Sequence, residues 1–280
     1  MKKNVATRTI VYFAIAALLL MIPMCIISFA EKAEDKTQVD ILFLGDSLIG
    51  QYRDETSVPY LVGEALGKTT FNGAFGGSTM TWYPGKNSDY FSSYGMNFPV
   101  LVSSIVESDF RVQKSIEFRT MGSEDFSQVL TELENIDFSQ LEMIVLEYGT
   151  NDYFSGTAVN GEAGDYGSFE GSFCTGIEQI RDAMPDCRIL VVGPTFNWYF
   201  ATEDTCEDIE FGGGYLLSYV EKLQRLCQEY QIEFLDLYDL YEHYPLIIES
   251  WEYTEDGIHP NENGRQMIAD AIVNYLNENP

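Results

Sequence analysis

Ser47 stands in Gly45-Asp46-Ser47 directly behind an apolar run, and Asp256-Gly257-Ile258-His259 lies near the other end of the chain. A serine hydroxyl attacks a carbonyl poorly until an imidazole takes its proton, and the imidazole needs a carboxylate to fix its tautomer and balance its charge. Asp256 and His259 are three apart, close enough on one loop for the carboxylate to meet the near ring nitrogen. The chain has 2 histidines. The other, His243, lies in Tyr241-Glu242-His243-Tyr244-Pro245 with no partner pattern and reads as structural. Attack on an ester develops an oxyanion that needs two or three preorganised donors. Backbone N–H groups at the Gly76-Gly77 turn, and the carboxamide of Asn151 in Gly149-Thr150-Asn151-Asp152, are donors of the right kind.

These residues need a scaffold that brings them to one place. Val39 to Leu44, Met143 to Leu146, Arg188 to Val192 and Ile232 to Leu237 are short apolar runs, the pattern of strands buried on both faces. Helical periods separate them: Val58 to Leu66, Phe98 to Val106, Phe126 to Leu133, Ile177 to Met184, Tyr215 to Cys227 and Asn263 to Leu276. Alternating strands and helices predict an α/β fold with a parallel sheet covered on both sides, and functional loops at the carboxyl ends of the strands. Ser47 and Asn151 each follow a strand, so both fall at that edge; the loop with Asp256 and His259 precedes the final helix and reaches it. Met80 to Arg119 is longer than a simple crossover needs, and Tyr153 to Ser172 is Gly-rich and aromatic with no period.

The four motifs in this order resemble the SGNH (GDSL) hydrolase family over roughly residues 39–276. Ser47 matches the family nucleophile, whose own N–H also serves the oxyanion hole; Gly77 matches the second-block glycine, Asn151 the third-block asparagine, and Asp256 with His259 the DxxH block. The resemblance implies a three-layer α/β/α sandwich of flavodoxin-like type. It also implies cofactor-free, metal-independent hydrolysis of carboxylic esters through an acyl-enzyme. Two departures stand out. Block one continues with Leu48-Ile49 rather than polar or small residues, and the gap from Gly77 to Asn151 exceeds that of compact members.

The start of the chain carries Lys2, Lys3 and Arg8, then an uncharged run from Ile10 to Ala30, then a charged stretch. The run is long enough to span a bilayer, and Ser28-Phe29-Ala30 also has the small residues of a signal peptidase site, so both a cleaved signal and a retained anchor are expected readings. Residues 1–30 are therefore the targeting segment and 31–38 a linker. The hydrolase domain is 39–280, with insertions near 80–119 and 153–172. In either reading the remainder is exported, to be secreted or held at the membrane by residues 10–30. All 44 acidic side chains lie after residue 30, with 13 of the 16 basic ones, a net charge of about −31. Nucleic acid and anionic lipid surfaces are poor partners for it. With 2 histidines and no CxxC pair, a zinc site is not expected. Cys174, Cys187, Cys206 and Cys227 leave disulfides and free thiols both open.

Export and aromatic-rich loops lean toward an acylated carbohydrate as substrate, with Trp82, Tyr153 and Trp198 the candidates for stacking on a sugar or lining an acyl pocket. Tyr83, Tyr90, Phe91, Tyr94, Phe154 and Tyr199 belong to the same aromatic group. The leading expectation is an exported short-acyl esterase. Lipolytic action and polysaccharide O-acyl transfer are the mechanistic neighbours, and a non-catalytic glycan-binding protein is the alternative of another class.

Overall fold

In the computed structural model the described residues are 36–82, 95–115, 126–243 and 247–280. The apolar run 10–30 and the aromatics Tyr83, Tyr90, Phe91 and Tyr94 lie outside them. No helix among the described residues is long and apolar enough to cross a membrane.

The apolar runs become strands. β1 (Ile41–Gly45), β2 (Thr70–Asn72), β3 (Met143–Glu147), β4 (Arg188–Val192) and β7 (Glu233–Leu235) form one sheet in the order β2-β1-β3-β4-β7. All four pairings are parallel. β5 (Trp198–Tyr199) and β6 (Asp204–Thr205) make a separate antiparallel ladder. Every residue of β1 and β3 is buried, which is why these strands show no polar alternation.

Alternation along the strands instead divides two cores. Ile41, Phe43, Val145, Leu190 and Val192 pack with Val58, Val62, Ile268, Ile272 and Leu276. These come from α2 (Val58–Leu66) and α10 (Glu262–Glu278). Leu42, Leu44, Ile144, Leu146 and Val191 face the opposite way, onto α3 (Phe98–Glu107), α5 (Phe126–Glu134), α7 (Phe169–Ala183) and α8 (Leu216–Tyr230). The fold is thus the expected α/β/α sandwich around a parallel sheet.

Some elements depart from the sequence reading. β2 was not expected: its three residues are only half-buried and two are polar, so no apolar run marks it. β1 is shifted to Ile41–Gly45, β3 runs one residue further, and β7 is shorter than 232–237. Helix α7 begins at Phe169 rather than Ile177, capped by Ser168, whose side chain accepts from the Gly171 N–H at 3.2 Å. Two glycines in that first half, Gly171 and Gly176, mask the helical signal. Gly176 is needed for packing, since a Cβ there would stand 2.2 Å from the Phe98 ring of α3. All four cysteines from Cys174 to Cys227 are free thiols.

Candidate active site

The site begins where β1 ends. Gly45 admits no side chain, because a Cβ would meet the Glu147 carbonyl oxygen of β3 at 2.5 Å. Asp46 then caps the short helix α1 (Ser47–Gly50), its Oδ1 accepting from the Leu48 N–H at 2.9 Å. Ser47 occupies the first helical position, where helix geometry leaves its own N–H without an intrahelical acceptor. The candidate nucleophile's hydroxyl and a free backbone N–H therefore belong to one residue at the sheet's carboxyl edge.

The candidate base arrives from the far end of the chain. His259 Nε2 lies 2.9 Å from Ser47 Oγ, and His259 Nδ1 lies 2.7 Å from Asp256 Oδ2. The other Asp256 oxygen accepts from the backbone N–H groups of Ile258 (3.0 Å) and His259 (2.8 Å), so the carboxylate is fixed by its own loop. That loop is anchored on several sides. Trp198 N–H donates to the Gly257 carbonyl at 2.8 Å, and Gly257 N–H donates to Thr254 Oγ1 at 3.0 Å. The buried Arg265 donates to the Pro260 and Thr56 carbonyls, each at 2.9 Å, and lies over the Tyr52 ring at 3.7 Å.

Electrostatics fit a base paired with a permanent carboxylate. Burial works against charge on Asp256, but hydrogen bonds from the His259 ring and backbone outweigh it and hold the carboxyl at about 2. Burial likewise disfavours the imidazolium, yet the hydrogen bond and charge of Asp256, with Asp46 and Glu255, raise His259 above its ordinary value.

The glycine turn lies beside the nucleophile. Ser78 N–H closes a turn onto the Phe75 carbonyl at 3.1 Å, with Gly77 at φ +78°, a backbone state that favours glycine. The Phe75 N–H and the Ser78 hydroxyl both donate to the Gly45 carbonyl, at 2.9 and 2.8 Å, so the turn is pinned to the end of β1. A Cβ on Gly76 would touch Ser47 Cβ at 3.7 Å. Asn151 is carried by α6 (Thr150–Phe154), and its Nδ2 donates to Asp46 Oδ2 at 3.1 Å and to the Ser78 carbonyl at 3.0 Å. Ser47, Gly77, Asn151, Asp256 and His259 are thereby brought together.

The aromatic candidates divide. Tyr153 and Trp198 are corrections to the sequence reading: both are fully buried and offer no face to a ligand. Tyr153 donates its hydroxyl hydrogen to the Ile209 carbonyl at 2.8 Å and packs among Phe154, Tyr199, Phe211 and Tyr219. Trp198 packs against Phe196 with ring centroids 4.8 Å apart, and supports the His259 loop through its backbone. Large aromatic side chains are mainly core material, and sequence alone does not separate the two uses. Trp82 is 38% exposed and borders a cleft of about 720 Å³ between α3 and the Gly164–Gly167 loop. His243 stacks on Phe196 at 3.9 Å and bonds the Tyr238 carbonyl at 3.1 Å.

Sequence reasoning assigned no role to three acids behind the site. Asp152 is fully buried and accepts from the N–H groups of Met80 (2.8 Å) and Thr81 (3.0 Å) and from the Thr81 hydroxyl (2.7 Å), tying Asn151's neighbour to the segment after the glycine turn. Burial nevertheless lifts Asp152 to about 7 and Asp46 to about 6. Glu147, at the end of β3, is pushed well above the carboxylate range by burial and the neighbouring acids. The available signal was their position: acids in Gly-Asp-Ser, Asn-Asp and the last residue of an otherwise apolar strand.

The match to the family model of GDSL-like lipases and acylhydrolases spans residues 43–267. Among solved structures, a Lactobacillus plantarum protein superposes with TM-score 0.60 at 16% identity, covering 86% of this chain and 98% of its own. A possible lipase from Chitinophaga pinensis gives 0.55 at 16% identity, covering 86% and 98%. A carbohydrate acetylesterase from Sinorhizobium meliloti gives 0.51 at 16%, covering 86% and 99%. No curated protein matches the chain in sequence. At such identities the structures speak to the fold; the family match, extending from within β1 into α10 and so enclosing the serine, glycine, asparagine and histidine blocks, places this chain in the GDSL-like lipase/acylhydrolase family as a serine ester hydrolase.

Proposed function

We propose that the protein is an exported esterase that removes acetyl or another short acyl group from carbohydrate, with Ser47 as nucleophile, His259 as base and Asp256 as its orienting carboxylate. The continuous relay from Ser47 Oγ to His259 Nε2 (2.9 Å) and from Nδ1 to Asp256 Oδ2 (2.7 Å) carries this reading. Ser47 Oγ adds to the ester carbonyl carbon as its proton passes to His259 Nε2. The oxyanion is met by the N–H groups of Ser47 and Gly77 and by Asn151 Nδ2. Collapse breaks the ester bond, His259 protonates the leaving sugar oxygen, and water, deprotonated in turn by His259, releases the acid from the acyl-serine.

The partly exposed indole of Trp82 has a face that suits a pyranose, although the cleft it borders is lined by none of Ser47, Gly77, Asn151, Asp256 and His259. The Sinorhizobium meliloti relative of the same fold is a carbohydrate acetylesterase, which is compatible with that chemistry. Export is supported by the basic flank and apolar run of residues 2–30, and by the acidity of the rest. The test is hydrolysis of aryl esters of increasing acyl length, followed by acetylated polysaccharide, with the full chain in detergent. Highest kcat/KM on acetyl esters and release of acetate from the polymer are expected. A preference for long acyl chains would overturn the reading in favour of lipids.

Only neutral His259 takes a proton from Ser47, so activity is lost as pH falls through its folded value. That value is raised, which places the acid limb of kcat/KM above pH ~6.5. A profile flat from pH 5 to 8 would remove the imidazole from the mechanism.

A further inference from the structure

We propose that Glu147 is a positioning residue for the hydrolysis: its carboxyl shares one proton with that of Asp46, and this bond holds Asp46 where it can orient Asn151 and cap the helix that carries Ser47. The inference rests on Ser47 and Asn151 acting as described above.

Glu147 closes β3 in register with Gly45, the residue before Asp46. Gly45 gives it room, since a Cβ there would lie 3.3 Å from Glu147 Cβ. The Asp46 N–H donates to the Glu147 carbonyl at 3.2 Å, so the two residues are joined through the backbone as well. Glu147 is 2% exposed and Asp46 wholly buried. Both Glu147 side-chain oxygens are buried, and neither is met by a donor from the protein. A buried carboxyl with no donor bonds only through a hydrogen of its own.

Asp46 is the acceptor at hand. Its oxygens already take the Leu48 N–H and Asn151 Nδ2, and each oxygen has a second lone pair. Two abutting buried carboxyls do not both ionise; one keeps its proton and donates it to the other. The other charges that act on the pair include Asp152, which repels a negative charge on Glu147, and His259, which acts on Asp46. The strong upward displacement of Glu147 and the smaller one of Asp46 agree with the proton residing on Glu147.

A structural role and a positioning role lead to opposite results. A buried, poorly satisfied acid costs stability, so an apolar residue of similar size is tolerated or stabilising. Glu147→Leu in the full chain is therefore expected to keep or raise Tm while lowering kcat on aryl acetate about tenfold or more, with KM changed less than about twofold. Glu147→Gln supplies an amide hydrogen to Asp46 and is expected to restore kcat to within about threefold of wild type. Unchanged kcat in Glu147→Leu would overturn the proposal. So would a parallel fall of Tm and kcat, which marks a purely structural residue, or an equal loss in Glu147→Gln. Ser47→Ala run alongside separates the two levels: if it stays active, the underlying mechanism fails, whereas an inactive Ser47→Ala with an unaffected Glu147→Leu fails this inference alone.

Discussion

Ser47→Ala is expected to lower kcat on aryl acetates by at least about 10⁴-fold while leaving Tm within a few degrees of wild type. The hydroxyl oxygen is the only heavy atom removed. Ser47 is part-buried at the first turn of a four-residue helix, and that helix keeps its Asp46 cap and its backbone bonds without the side chain. His259 keeps Asp256, because that pair is made within one loop at 2.7 Å and does not depend on the serine. The loss is therefore confined to chemistry, and burst kinetics should vanish with turnover because no acyl-serine forms. Residual activity within about tenfold of wild type would mean that another group attacks the ester.

Asn151→Ala is expected to lower kcat by about 10² to 10³ with little change in KM. The resting geometry gives this variant particular interest. A carboxamide nitrogen has two hydrogens, and those of Asn151 point at Asp46 Oδ2 (3.1 Å) and at the Ser78 carbonyl (3.0 Å). An oxyanion must therefore share one of them, and it competes well only when its charge has developed. Such a donor favours the transition state over the bound ester, which is the condition for affecting kcat rather than KM. A rise in KM alone, or a kcat within about threefold of wild type, would reduce Asn151 to a prop for Asp46 and leave the oxyanion to the Ser47 and Gly77 N–H groups.

Much of this site could be read from residue order, because the chemistry lies in short loops attached to strands that announce themselves. β1, β3 and β4 are continuous apolar runs, and a loop following such a run falls at the carboxyl edge whatever its length. That these loops bring Ser47, Asn151, Asp256 and His259 to one place needed nothing more to be anticipated. The aromatic assignments failed for a physical reason: Tyr153 turns its hydroxyl to the Ile209 carbonyl inside, Trp198 packs on Phe196, and only tertiary packing decides whether a ring faces a ligand or the core. β2 was invisible because a three-residue half-buried strand has no period to detect. The buried acids were missed because a carboxylate in a sequence is read as solvated by default, while Asp46, Glu147 and Asp152 are desolvated by strands that come together only in the folded sheet.

The Ser47–His259 hydrogen bond joins residues 212 positions apart. Neither end has a local substitute: the serine is delivered by the first strand and the imidazole by the loop before the last helix. On the proposed mechanism, hydrolytic power is consequently an all-or-none property of this polypeptide. On that mechanism a chain emerging during synthesis is expected to be inert until its final loop has docked, and a single proteolytic cut that frees α10 is expected to silence it while every described strand remains. Ester turnover thus reports on the docking of the final loop and helix, and on heating activity should be lost at or before global melting.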